Sequence, residues 1–419
     1  MIFPSELDLT ESPKTFRILM VLDQSFPPDI RVENEATSLV KAGFEVTLLV
    51  LAPDIRQSTE KYKGFTIIRK HVPQKLCNWM RGLSGAFPIL SWFITCQIQK
   101  LHKHYSFDVI HAHDLYMCGG ALKAGERVGI PVVADLHEVW VSVLTQYTWS
   151  TRFPGKLFIN IRRWKTLEKI WASKATKVVV ITEDMATRYI QLGCSTKDVC
   201  VLPNTVNIET FDNYPVKDVI IQTHQSEFTL VYAGTINPHR GLGFLLDVIP
   251  LVLSHCSVRL VIVGDGRIRP ELEAQAKSLG ILDHVIFEGW KPQAEIKSYI
   301  LSSDACLLPL LKCEHTDTIV PHKLFHYMYL KRSLITTDCT YIKHIVETTE
   351  CGLVVPYGDH KAMASSIIEL YNHPERRKQM GANGHRAVLE RYNWGHSVQS
   401  LIQMYRSMAE ESRRETGSG

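Results

Sequence analysis

The sequence predicts an α/β protein of two doubly wound parallel sheets, one per domain. Three observations carry this. The chain has 419 residues, too many for one ordinary core and suited to two domains of roughly 200 residues each. Short, nearly continuous apolar runs alternate with longer amphipathic ones, the pattern of buried parallel strands joined by helices. That rhythm halts over a polar stretch, Asn204 to Glu227, and then restarts.

In chain order, residues 1–15 carry acids and prolines and read as an extension. They lack the basic-then-apolar order of a secretory leader. Phe16–Leu22 is the first expected strand, Glu33–Ala42 a helix closed by Gly43, and Glu45–Leu51 the second strand. Asp108–His111, Pro131–Ala134 and Lys177–Ile181 complete a Rossmann-like domain over 16–203. The linker is 204–227. Phe228–Ala233, Val258–Val263, His284–Phe287 and Ala305–Leu308 are the strands of a second such domain, 228–395. Beyond Trp394 the run Ser397–Met408 is amphipathic, so 396–409 is expected as a closing helix and 410–419 as a disordered tail.

Composition excludes several classes. Hydrophobic residues make up 45% and charged residues 21% of the chain, an ordinary globular balance. The ten cysteines are scattered without a CxxC pair, which argues against a zinc or redox motif and for a reducing cytoplasm. No nucleic-acid partner is expected. The net charge of +4 conceals two basic stretches, Lys61–Tyr105 and Arg152–Lys177, which leave the rest of the chain net acidic. Phe87–Cys96 is the most apolar run of the first half and is too short to span a bilayer, which needs about 20 apolar residues. With Trp79, Met80, Trp92 and Phe93 among Lys75, Arg81, Lys100 and Lys103, it reads as an interfacial helix or as a core helix packed on the sheet. The first reading places the protein peripherally at the inner face of a membrane, with an anionic lipid surface as partner.

Four segments could carry chemistry. In LVYAGTINPHRGLGFLLDVI a strand ends at Gly234, and a loop leads into a helix near Leu242. Glycines there allow close backbone approach, a helix start favours phosphate, and Arg240 could neutralise a diphosphate. Gly264-Asp265-Gly266 follows a buried strand and precedes a helix. In IVPHKLFHYM, Pro321 starts a helix with free amides on His322, Lys323 and Leu324, Lys323 adds positive charge, and His326 lies a turn further on. In the first domain, His113 and Asp114 end one strand, while Asp135, His137 and Glu138 end the next, so both clusters can face one crevice. HxHD beside DxHE has metal-ligating residue types, but no third ligand pair has matching spacing, so no metal is expected.

Together these segments resemble glycosyltransferase family 4, retaining transferases with the GT-B fold. The resemblance covers about Phe16 to Tyr405 and rests on the order and spacing of PPDIRVENEATSLVKAGFEVTLLVL, DVIHAHD, PVVADLHE, VVVITEDMATRY, VLPNTVN, AGT…RG, GDG, FEGW, PHKLFHYM and CGLVVPYGD…MGANGHRAVLERYNW. It implies a nucleotide-sugar donor site on the second domain, an acceptor site on the first, and no metal cofactor. It implies that Gly234 and Thr235 lie near the diphosphate, Gly266 near the donor, Trp290 near the base, and that His137 contacts the transferred sugar. Arg240 and Lys323 would stabilise the departing phosphate, with His113, Asp114, Asp135 and Glu138 on the acceptor side. The closing helix would return to the first domain.

Three positions depart from the family pattern. The paired acids of E-x7-E are Thr318 and His326 here, Thr235 stands where Arg is common, and Lys331-Arg332-Ser333 replaces Gly-Lys-Pro. The expected activity is transfer of a sugar onto a glycan or lipid-linked acceptor in surface polysaccharide or glycolipid synthesis. The alternative is an inactive GT-B scaffold or sugar-nucleotide-binding partner.

Overall fold

In the computed structural model the described residues are 15–52, 58–146, 159–224 and 227–417. The first sheet comprises β1 (Arg17–Leu22), β2 (Glu45–Ala52), β3 (Ser58–Tyr62), β4 (Phe65–His71), β5 (Val109–His113), β6 (Val132–Leu136), β7 (Lys177–Val180) and β8 (Val199–Val201). Its order is β3-β4-β2-β1-β5-β6-β7-β8, and only β3 runs antiparallel to its neighbour. The second sheet comprises β9 (Phe228–Ala233), β10 (Val258–Val263), β11 (Val285–Gly289), β12 (Ala305–Leu308), β13 (Ser333–Thr337) and β14 (Gly352–Val355). Its order is β11-β10-β9-β12-β13-β14, and its pairings are parallel.

Central strands are buried along their whole length, as the apolar runs predict; β5, β6 and β9 have no exposed residue. The chain order reverses direction between β1 and β5 and between β9 and β12. Those switch points open crevices at the carboxyl ends of the strands, where open α/β sheets place their ligands.

The last helix spans Trp394–Gly417, so the segment expected to be disordered, 410–419, is helical through Gly417. Residues that favour helix, Glu410, Glu411, Arg413, Arg414 and Glu415, extend it past its buried part. Its Trp394, Val398, Leu401, Ile402, Tyr405 and Met408 are buried with β1 and β2 of the first sheet, although the helix follows the second sheet in sequence. Residues 204–227 are not simple linker. They contain two short helices, Ile208–Asp212 and Asp218–His224, and Phe211 is buried. The helix Ile89–Tyr105 packs one face on the core, as the second expectation for its segment has it. It buries Leu90, Ile94, Ile98 and Leu101, while Trp92 stands 61% exposed, beside exposed Trp79 and Phe87. No helix among the described residues is long and apolar enough to cross a membrane. Residues 1–14, and with them most of the expected extension, lie outside the described residues, as do 152–158 of the second basic stretch.

Candidate active site

Between the two sheets lies a cleft of about 780 Å³ lined by both domains. On the second domain its floor is built from strand ends. Gly234 follows β9 at φ 142° and Gly264 follows β10 at φ 141°, and the Gly234 amide donates to the Val263 carbonyl at 2.8 Å. A Cβ on Gly264 would sit 2.0 Å from the Gly234 carbonyl oxygen, so these two loops touch backbone to backbone. A turn at Pro238–Arg240 then leads into the helix Leu242–Leu253, and Gly241 at φ 69° makes the corner.

Two cations point into this space. The Nε and Nη1 atoms of Arg240 and the Nζ of Lys323 are shielded from solvent and find no hydrogen-bond acceptor among the described residues. Lys323 Nζ lies 3.7 Å above the centre of the Tyr232 ring, and a Cβ on Gly234 would come 2.4 Å from it. Burial, and then the neighbouring Arg240 charge, push the Lys323 ammonium well below the ordinary lysine range. The same two causes lower His239 to about 3 and His315 to about 4. Lys323, His239 and His315 are all depressed beside Arg240, and an anion bound among them would supply the offsetting negative charge.

The helix His322–Tyr329 brings Lys323 here, with Pro321 as its N-cap. The Leu324 amide is not free; it donates to the Pro321 carbonyl at 3.1 Å, and the Leu324 side chain is in the core. Only the first amides of this helix therefore remain for a ligand. His326 lines the cleft and stacks on Phe211 with centroids 4.5 Å apart. Burial, and then His322, lower it to about 3, so it is neutral where a carboxylate was the familiar residue. The helix ends at Tyr329, and just past its cap Leu330 stands Lys331 at φ 58°, a left-handed residue where glycine is usual. Thr318 faces the first domain instead, its carbonyl accepting from the Thr182 hydroxyl at 3.2 Å.

The first domain contributes His137 and Glu138. His137 Nε2 lies 3.2 Å from Asp114 Oδ1, and its Nδ1 lies 3.6 Å from Asp135 Oδ2. Burial opposes its charge, but Asp114 and Asp135 outweigh burial and raise it to about 10. His137 is thus an imidazolium at neutral pH and has no free base to offer. Asp114 sits at φ 70°, a strained conformation for a non-glycine residue.

The structure sorts the residues expected from sequence. Gly234, Thr235, Trp290, Pro321, His322, Lys323, His326, Arg240, His137 and Glu138 line the cleft. Gly266 does not; Gly264 and Asp265 do, because Gly266 packs against the Ile236 backbone, where a Cβ would meet the carbonyl at 2.1 Å. His113 and Asp135 are fully buried behind the cleft, and Asp114 nearly so. Asp135 is gripped by Arg31 at 2.8 and 3.1 Å and by His113 Nδ1 at 2.9 Å. Glu35, His111, His113 and Asp135 bring their ligand atoms within 4.8 Å of one another, the kind of cluster that can hold a metal ion. The Arg31 guanidinium already hydrogen-bonds Asp135 there and forms an ion pair with Glu35 at 2.9 Å. Sequence reasoning missed Arg31, Glu35 and His239. Arg31 and Asp135 are 104 residues apart, and no local pattern pairs them.

Comparisons with known proteins follow the same division. Residues 30–210 match the model of Glycosyltransferase Family 4, and residues 227–373 match that of Glycosyl transferases group 1. The chain is similar to a phosphatidyl-myo-inositol mannosyltransferase of Mycobacterium leprae, 26% identical over 306 residues that cover 72% of this chain and 74% of that protein. It is similar to the alpha-D-kanosaminyltransferase of Streptomyces kanamyceticus, 25% identical over 352 residues, covering 78% and 84%. Among solved structures, a sucrose-phosphate synthase from Thermosynechococcus elongatus superposes with a TM-score of 0.75 at 18% identity over 94% of this chain and 99% of that one. Anabaena HepE in complex with UDP-glucose superposes with a TM-score of 0.68 at 14% identity, over 93% and 99%.

Proposed function

This chain is a GT-B protein of glycosyltransferase family 4 with a group 1 transferase domain in its second half, and we infer from that premise that it moves a sugar, with retention at the anomeric carbon, from a nucleoside-diphosphate donor to a glycan or lipid-linked acceptor. The products belong to surface polysaccharide or glycolipid assembly. The observation that carries the donor half of the reading is a pair of cations in one cleft, Arg240 and Lys323, whose shielded Nε, Nη1 and Nζ atoms find no acceptor among the described residues. A diphosphate between the 234–240 loop and the start of the helix His322–Tyr329 would meet both. Their charge would grow in value as the leaving phosphate gains charge, in a site that excludes water. The first domain would present the acceptor, with His137 against the transferred sugar. Because His137 is already protonated, the acceptor's proton would pass to the departing phosphate on the same face, which is the retaining outcome. With two cations to meet the phosphates, no metal is required.

Relatives named for a phosphatidyl-inositol acceptor and for mannose support a lipid-linked acceptor and a hexose donor. Exposed Trp79, Phe87 and Trp92 within a basic stretch support peripheral docking at the inner face of an anionic membrane. A second reading, a binding scaffold without turnover, is favoured by neutral His326 in place of a carboxylate.

The test is nucleoside diphosphate released from a panel of UDP-, GDP-, ADP- and dTDP-sugars. Wild type should release it from one base class, with Arg240→Ala and Lys323→Ala each slower by roughly 100-fold. Turnover should persist in EDTA. Release from no donor supports the scaffold, equal release by both variants rejects the phosphate placement, and loss in EDTA restored by Mg²⁺ rejects metal independence.

A further inference from the structure

A chain of polar groups reaches His137 through Asp114 from within the first domain. Arg81, on the helix Gln74–Leu83, donates from Nε to Asp23 Oδ2 at 2.8 Å, and its Nη2 lies 2.7 Å from the same oxygen. Asp23, just past β1, is buried. The buried Tyr116 hydroxyl lies 3.0 Å from Asp23 Oδ1 and 2.7 Å from Asp114 Oδ2. The other oxygen of Asp114, Oδ1, faces His137 Nε2 at 3.2 Å.

A tyrosine hydroxyl has one hydrogen to give. Two carboxylates are in its reach, and both cannot receive it. Arg81 resolves the competition by meeting the charge of Asp23 at Oδ2, through the Nε hydrogen bond and the close Nη2 contact, and it also lies over the Tyr116 ring at 5.1 Å. The hydrogen then goes to the nearer acceptor, Asp114. Tied from that side, and set by its own φ of 70°, Asp114 can point its second oxygen at His137. Without Arg81, Asp23 would draw the hydrogen back, or take up a proton itself.

We infer that Asp23, Arg81 and Tyr116 are positioning residues for His137, a strut that runs from the helix Gln74–Leu83 through the first domain to the sugar side of the cleft. None of the three lines the cleft, so none is catalytic. The strut begins on a helix whose other side carries exposed Leu76 and Trp79. The orientation of His137 is thereby tied to a face of the first domain that exposes Leu76 and Trp79.

This rests in part on the transferase reading, so the first measurement needs no turnover. In protein labelled with ¹⁵N at histidine, the His137 ring signals are identified by their loss in His137→Asn. They should move in Tyr116→Phe and in Arg81→Gln, and return most of the way in Arg81→Lys, while signals of His322 and His326 stay in place. Unmoved His137 signals in both variants overturn the strut. So does a common shift of every histidine, which would mark a general disturbance of the fold. Arg81 is partly exposed, so its variants keep the test open should Tyr116→Phe fold poorly. With a donor found by the panel, kcat should fall about tenfold in Tyr116→Phe, the loss of one hydrogen bond to a charged group. Donor KM should stay within about twofold, because the phosphate cations lie on the other domain. A rise in KM with kcat unchanged would overturn the assignment.

Discussion

At the scale of single residues, charge state separates the two walls of the cleft. Lys323, His239, His315 and His326 are all held below their ordinary values, and His137 is held above its own. The sign of the His137 effect gives a stability prediction. Its folded value, about 10, exceeds the unfolded value of about 6.5, so its contribution is complete below the unfolded value and is lost as pH rises through the folded one. The melting temperature of wild type should exceed that of His137→Asn by most near pH 6, and the gap should close as pH passes about 10. A gap that widens with pH would contradict a charged His137. Arg240 and Lys323 were legible in the sequence because a glycine-rich strand end and a proline-started helix each place a base where phosphate is favoured. The roles of His113 and Asp135 were not. Their position at strand ends is visible, but β5 and β6 are buried throughout, so alternation could not tell which side chains face the cleft and which turn inward toward Arg31.

At the scale of elements, the strands of the sheet centres were legible from their apolar runs, and β9, β10 and β12 lie where the runs place them. Less was visible at the edges. β3, STEKY, is polar and largely exposed, and β8 has only three residues, so neither makes an apolar run. β13 begins directly after the left-handed Lys331 turn, and its Ser and Thr residues mask it, though all five of its residues are buried. The donor floor depends on contact between two strand-end loops, which makes Gly264 its most exacting position. Gly264→Ala should cost roughly 2 kcal/mol or more, because φ 141° disfavours a side chain and the added carbon meets a carbonyl at 2.0 Å. The urea midpoint would report it. A midpoint within error of wild type would mean that the loops part easily. Gly129→Ala, where φ is 74° but nothing lies within 4 Å, isolates the backbone cost alone.

At the scale of the whole molecule, each domain shows a different surface to its surroundings. The first carries the basic stretch Lys61–Tyr105 with exposed Trp79, Phe87 and Trp92. Attraction of such residues to an anionic bilayer is worth about 1 kcal/mol each near the surface and is screened by salt. Sedimentation with phosphatidylserine vesicles should therefore be strong at low salt, weak at high salt, and reduced in the Trp79→Ser, Trp92→Ser double variant. Equal recovery with and without vesicles would leave these side chains as ordinary surface. The path of the chain has a different consequence. It crosses between the domains near 204–227 and crosses again before Trp394, after which the last helix is built into the first domain's core. Tyr405 of that helix hydrogen-bonds His111 of β5 at 2.7 Å, and the Trp394 indole donates to Ser38 at 2.9 Å. The halves are thus buttoned together twice. A protease cut within 215–227 would yield two fragments on a denaturing gel, yet they should elute as one particle of unchanged size under native conditions. Elution as two separate bodies would mean that the returning helix does not hold.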